Sequence, residues 1–149
     1  MEKHPIPAAP DFTTGSAFIK GESTLAVVSV DAFEQLACRL EDALQRHSLE
    51  ILHVHEMDTL LRARGVGMDF RCRVYEIWNA TLASRLLRFD ADIGHVLPCR
   101  ITLHDQGGVA TVVAPQPRVA MGEFSHAADV ARIARRFEDV MQQVLRELG

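Results

Sequence analysis

Between Ile77 and Val113 the chain reads IWNATLASRLLRFDADIGHVLPCRITLHDQGGVATVV. An apolar strand runs into Asn79, and a short amphipathic helix follows. Then come Leu97-Pro98-Cys99-Arg100 and a hairpin turned by Gln106-Gly107-Gly108. This succession places strands and a helix in one continuous stretch, and it points to an α+β architecture. With 149 residues the whole is read as one domain. A chain of this size buries roughly two thirds of its unfolded surface, so it needs no disulfide or metal to fold.

Formal net charge is −4 and the pI is near 5.9. That balance argues against nucleic acid as a partner, because a nucleic-acid binder needs a basic face to displace counterions. The three cysteines, with no close pair, make no disulfide framework and suit a reducing, cytoplasmic setting. No apolar run reaches the ~18 residues of a membrane span, so no membrane role is expected. Residues 1–23 carry Pro5, Pro7 and Pro10 and no apolar signal-like core. They read as an extended or disordered tail, or as an arm for a neighbouring subunit. Residues 24–149 read as the single α+β domain.

Thr24 to Val30 is a short β-branched strand. Asp31 with Glu34 three residues on predicts a helix start, since such a pair satisfies the orphan amides there. Phe33, Leu36, Ala37, Leu40 and Leu44 fall on one face at helical spacing, with the helix ending near His47. Ser48 stands where a glycine would end that helix more comfortably. Leu49 to Met57 alternates as a second strand, a short helix follows Asp58, and Phe70 to Trp78 is a third strand. Asn79 caps a helix over Ala80 to Phe89. Arg100 to His104 and Val109 to Ala114 pair as a hairpin. Pro115 and Pro117 end strand pairing. Ser125 caps a last helix from His126 to Leu148. The sum is an antiparallel-rich sheet with the long helices packed on one face.

Strand side chains alternate, so parity separates the two sheet faces. The apolar sets, Leu52 and Val54, then Phe70, Cys72 and Val74, then Ile101 and Leu103, are expected beneath the helices. The opposite face would then hold His53, His55, Arg71, Arg73, Tyr75, Arg100, Thr102 and His104. Three readings of such a face stay open: a solvated surface, a subunit interface rich in tyrosine and arginine, or a pocket for a small anionic ligand or a metal ion.

His53-x-His55 puts two imidazoles on one strand face, and His104 is the best third ligand if the strands adjoin. Cys99 beside Arg100 is either a thiolate whose pKa the guanidinium lowers or a small core residue at the start of a strand. Asn79 is either a helix cap or an amide facing a ligand at the helix terminus. Arginines 132, 135, 136 and 146 are interrupted by acids at 129, 138, 139 and 147, which reads as a solvated helix face. No phosphate-cradling glycine loop, Gly-x-Ser-x-Gly elbow or His-Glu-x-x-His pair is present.

Ile77-Trp78-Asn79-Ala80, the Ala83 to Phe89 helix, Asp92-Ile93-Gly94, Leu97-Pro98-Cys99-Arg100 and the Gly107-Gly108 hairpin together resemble the domain-of-unknown-function 302 family. The similarity covers about residues 24–120. It implies a TATA-binding-protein-like β-α-β(4)-α fold in small, often dimeric proteins, and it transfers no catalytic residue or cofactor. Two departures stand out: Trp78-Asn79-Ala80 where many members have Cys-Asn-Pro or a similar triplet, and Ser48 in place of the usual glycine.

The expectation is a cytoplasmic, homodimeric small-ligand-binding or accessory protein that holds its ligand on the polar sheet face. Asn79, Cys99, Arg100, His104, Arg73 and Tyr75 are the candidate ligand-binding residues, and His53 and His55 the candidate metal ligands. The competing expectation is a thiol-dependent enzyme or redox sensor using Cys99.

Overall fold

The computed structural model describes residues 15–149. Six strands, β1 (Ala17–Lys20), β2 (Thr24–Val28), β3 (Glu50–Glu56), β4 (Cys72–Trp78), β5 (Cys99–His104) and β6 (Thr111–Pro115), form one sheet. Their order is β1-β2-β6-β5-β4-β3, and every neighbouring pair is antiparallel. Among the described residues there are five α-helices: α1 (Phe33–Arg46), α2 (Met57–Arg62), α3 (Ala80–Phe89), α4 (Pro117–Gly122) and α5 (Ala128–Leu148). The architecture is therefore the α+β sheet with helices that the patterning predicts. Strand β1 is an addition: it lies within the segment read as a tail and pairs with β2 as an edge strand. The rest of that segment, residues 1–14, lies outside the described residues.

One face of the sheet is buried. Leu25 and Val27, Tyr75 and Ile77, Cys99, Ile101 and Leu103, and Val112 and Ala114 all point into a single core. Against them pack Leu36, Leu40 and Leu44 of α1 and Phe137, Met141, Val144 and Leu145 of α5. Each large aliphatic side chain removed from water there contributes about 1.5–3 kcal/mol. The two long helices also pack on each other, so they cover one side of the sheet as a layer.

Register corrects the expected parity of β4. Tyr75 stands opposite Ile101 and Arg73 opposite Leu103, on the buried side, whereas Cys72, Val74 and Glu76 stand opposite His104, Thr102 and Arg100 on the open side. The reason lies at the strand's end. Ile77 shares parity with Tyr75, and Ile77 opposite Cys99 is fully buried. Burying the tyrosine ring and the isoleucine together outweighs burying the smaller Cys72 and Val74.

A β-bulge interrupts β3. Ile51 pairs with Ile77, but His53 pairs with Glu76, so Leu52 is the extra residue. Ile51 therefore packs against the core, and His53 and His55 face the open side with Glu76 and Val74. In an unbroken strand Ile51 would share a face with His53 and His55; the bulge separates them.

The helix ends follow local chemistry. α1 begins one residue after the expected cap, with Ala32 as N-cap and its amide donating to Gln35 Oε1 at 3.2 Å. Asp31 pairs with Arg39 instead. At the other end Leu49 N–H donates to Leu44 O at 2.9 Å and Ser48 N–H to Gln45 O at 3.1 Å, the two bonds of a Schellman ending. Ser48 has φ 58°, in the left-handed region. Asn79 caps α3 as expected, accepting from Leu82 N–H at 3.1 Å. α5 starts at Ala128, later than expected, with Ser125 Oγ accepting from Ala127 N–H at 3.3 Å. The short helix α4 escapes the sequence reading. It begins with Pro117 at its first turn, where the missing N–H leaves no bond unmade.

Replacing Ser48 by glycine removes the Cβ clash of the left-handed conformation. It should raise unfolding stability by about 0.5–1 kcal/mol after the entropy of the freer unfolded chain is offset. A higher urea midpoint at unchanged m-value checks this; an unchanged or lower midpoint contradicts it.

Candidate functional site

The side of the sheet away from α1 and α5 is a shallow surface that crosses five strands. Its middle row, Ala26, Val113, Thr102, Val74 and His55, runs in register from β2 across β6, β5 and β4 to β3. All five side chains are half-buried. A second row holds Val28, Thr111, His104 and Cys72. On the other flank Arg100, Glu76 and His53 lie side by side. The surface is thus an apolar and hydroxyl strip with a charged and imidazole corner.

Glu76 organises that corner. Its Oε1 lies 3.4 Å from His55 Nε2 and 3.8 Å from Arg100 Nε. The His53 and His55 rings sit edge to face, 4.4 Å between centroids. Arg100 keeps 72% of its side-chain surface exposed, so its fork remains open to an anion. Glu76 is absent from the candidate residues read from sequence. The strand read from Phe70 to Trp78 gives Glu76 the parity of Val74, which that reading places beneath the helices; the register puts both on the open side, with Glu76 opposite Arg100.

His104 occupies the second row. Its Nδ1 accepts from Gln106 N–H at 3.2 Å, which leaves Nε2 to carry the proton. Burial pushes its pKa below the usual histidine value, against the pull of Asp105. The ring is therefore a neutral donor near pH 7. His104 does not join His53 and His55. Strand β4 intervenes, with Cys72 opposite His104 and Val74 opposite His55, which sets the imidazoles about two strand spacings, or ~10 Å, apart. The expected three-histidine convergence fails on this distance. Among the described residues no three side chains of histidine, cysteine, aspartate or glutamate gather as a metal site.

Arg73 and Tyr75 are corrected from the ligand face to the helix side. The Arg73 guanidinium reaches Glu56 at 2.5 Å, the Tyr75 hydroxyl at 3.2 Å and Glu34 at 3.4 Å. Arg71 reaches the same Glu34 oxygen at 2.6 Å. Both guanidiniums lie over the Phe33 ring, at 4.0 and 5.2 Å. These groups fasten the start of α1 onto β3 and β4, and burial raises the Tyr75 pKa. The bonds to Arg71 hold Glu34 below the ordinary carboxylate range. Their charge is spent on neighbours and is not offered to a ligand.

Cys99 lies in the core, and burial pushes its thiol up to about 12. Arg100 alternates to the other face, so its charge does not activate the sulfur. That environment opposes a thiolate role. Cys72, expected in the core, instead faces the open side opposite His104. Burial, then the nearby Asp58 carboxylate, raises its pKa as well. Cys38 is exposed on α1. Asn79 has its oxygen engaged by the α3 amide, and its nitrogen lies 3.5 Å from Ser48 O. It acts as the cap and ties α3 to the end of α1.

Comparison with known proteins agrees with this architecture. The family described as Domain of unknown function DUF302 matches residues 25–148. The crystal structure of an uncharacterized conserved protein DUF302 from Bacillus stearothermophilus superposes with a TM-score of 0.80 at 19% sequence identity. The match covers 87% of this chain and 100% of that one, and at this identity it speaks for the fold alone. Among curated proteins none matches. With a family match over residues 25–148 and the fold of a solved member behind it, this protein belongs to the DUF302 family.

Proposed function

We propose that the protein is a cytosolic small-ligand-binding or accessory protein that works as a homodimer, with the open sheet face as its working surface. The ligand is a small anion held at Arg100, with His53 and His55 beside it and the neutral His104 further along the face. One observation carries this reading. The two long helices α1 and α5 pack on the other side, and the open side bears an exposed guanidinium 3.8 Å from the Glu76 carboxylate. The half-buried row from Ala26 to His55 suits a second copy of the chain, because flat apolar strips with polar rims are the usual form of subunit interfaces. Arg73 and Tyr75 drop out of the ligand-binding set, as does Cys99. The TATA-binding-protein-like arrangement is retained as a fold-level reading, and it brings no nucleic-acid role with it, since sites rather than folds carry function. The match to the described fold does not extend to an activity, and among the described residues no helix is long and apolar enough to cross a membrane.

Titration calorimetry with phosphate and with mono- and dicarboxylates should detect binding that Arg100→Ala weakens about tenfold. Equal affinity in the variant, or silence across the panel, removes the anion from the reading. Sedimentation analysis should show a dimer that Val113→Glu converts to monomer, since a charge in the middle of the strip would be buried without a partner. A wild-type monomer at tens of micromolar contradicts the dimer.

Thiol labelling separates this reading from thiol chemistry. With its pKa near 12, against an ordinary 9.0, Cys99 holds a thiolate fraction about a thousandfold smaller than a free thiol does below pH 8. Cys38 should label in the folded protein and Cys99 only on unfolding. Fast labelling of Cys99 at pH 7 in the native state would revive the thiol enzyme.

A further inference from the structure

Glu138 was expected among the solvated acids of the last helix, yet it is only 3% exposed. Its Oε1 accepts one hydrogen bond, from the Arg118 backbone N–H at 3.2 Å. Among the described residues no lysine, arginine or histidine comes within ion-pairing distance of it. A buried carboxylate has about four acceptor positions, and it is costly to bury without a charged partner. This one lines a cleft of about 420 Å³ between α4, α5 and the turn joining β1 to β2. That volume is within the usual range of small-molecule sites, roughly 300–1,000 Å³.

The cleft is built from separate parts of the chain. Val130 and Ala134 of α5 give it an apolar floor, and both are buried. Gln116, itself buried, fixes one wall: its amide donates to Gly21 O at 2.5 Å and to Thr24 O at 3.1 Å. Lys20, Arg118, Arg135 and His126 also line it. None of these four is ion-paired with a carboxylate among the described residues. A single buried carboxylate thus shares the cleft with Lys20, Arg118 and Arg135, none of them ion-paired among the described residues, and the cleft shares no residue with the sheet-face corner.

We propose that this cleft binds a small zwitterion, an α-amino acid or a close analogue. The ammonium donates to the free acceptor capacity of Glu138. The acid group meets the guanidiniums of Arg118 and Arg135 and the ammonium of Lys20, while a short side chain lies on Val130 and Ala134. A plain anion leaves Glu138 unmatched and meets its repulsion. A plain amine leaves the cations unmatched. Only a ligand with both charges a few ångströms apart uses the whole lining, and this selectivity distinguishes the site from a carboxylate that merely caps α4.

The full chain is titrated by calorimetry and by protein-observed NMR with a panel of α-amino acids, together with the matching des-amino acids and decarboxylated amines. At least one amino acid should bind at or below ~1 mM, and loss of either charged group should weaken it tenfold or more. Binding should shift the amide signals of Arg118, His126 and Arg135. Arg135→Glu, on the exposed surface, and Glu138→Gln, which keeps an oxygen for the Arg118 amide, should each cost tenfold or more. If Glu138→Gln fails to fold, Arg135→Glu and the signal shifts decide alone. No binding by any amino acid, equal binding of the des-amino acids, or binding indifferent to Arg135→Glu overturns the proposal.

Discussion

Burial of Tyr75, Ile77, Ile101, Leu103 and Val112 beneath α1 and α5 is the constraint to which the other features answer. Because successive strand residues alternate, committing these side chains inward commits Val74, Glu76, Arg100, Thr102 and Val113 outward. The open face is thus the complement of the core, and its chemistry follows from packing on the far side. Tyr75 is the instructive case. A tyrosine enters a core when its hydroxyl finds a partner, and here Arg73 supplies one at 3.2 Å. Arg73 is in turn neutralised by Glu56 and Glu34. The polar cluster at the start of α1 lets a large amphipathic side chain work as a core residue.

Elements with a local cause were legible in the sequence. α3 carries its own cap in Asn79, the β5–β6 hairpin its own turn in Gly107 and Gly108, both at positive φ, and α1 and α5 their own apolar stripes. Family membership was legible from short motifs in order, because those motifs sit at these same caps and turns. Elements with a distant cause were not legible. β1 is four residues long and exists by pairing with β2. α4 has six residues and depends on Glu138, 20 positions away along the chain, for an amide partner.

The candidate site was readable in part for the same reason. Arg100, Thr102 and His104 were correctly grouped because β5 is regular and its apolar partners Ile101 and Leu103 are unambiguous. Arg73 and Tyr75 were misplaced because polarity alone does not say whether a charged side chain meets water or another charge. Glu138 was misread on the same ground: on a helix, an acid among arginines looks solvated until a neighbouring segment covers it. Single-chain periodicity reports amphipathic faces, and it is blind to charges that fold inward to meet one another.

The extra residue at Leu52 has a consequence of its own. Up to Ile51 the β3 side chains follow the core parity set by Ile77, and beyond Leu52 they are reversed relative to an unbroken ladder. A straight strand would turn His53 toward Tyr75 and send both imidazoles under the first helix. One inserted position is therefore a topological switch for the edge strand. Lineages that gain or lose a residue here would exchange an outward imidazole pair for an inward one while leaving the remaining five strands untouched.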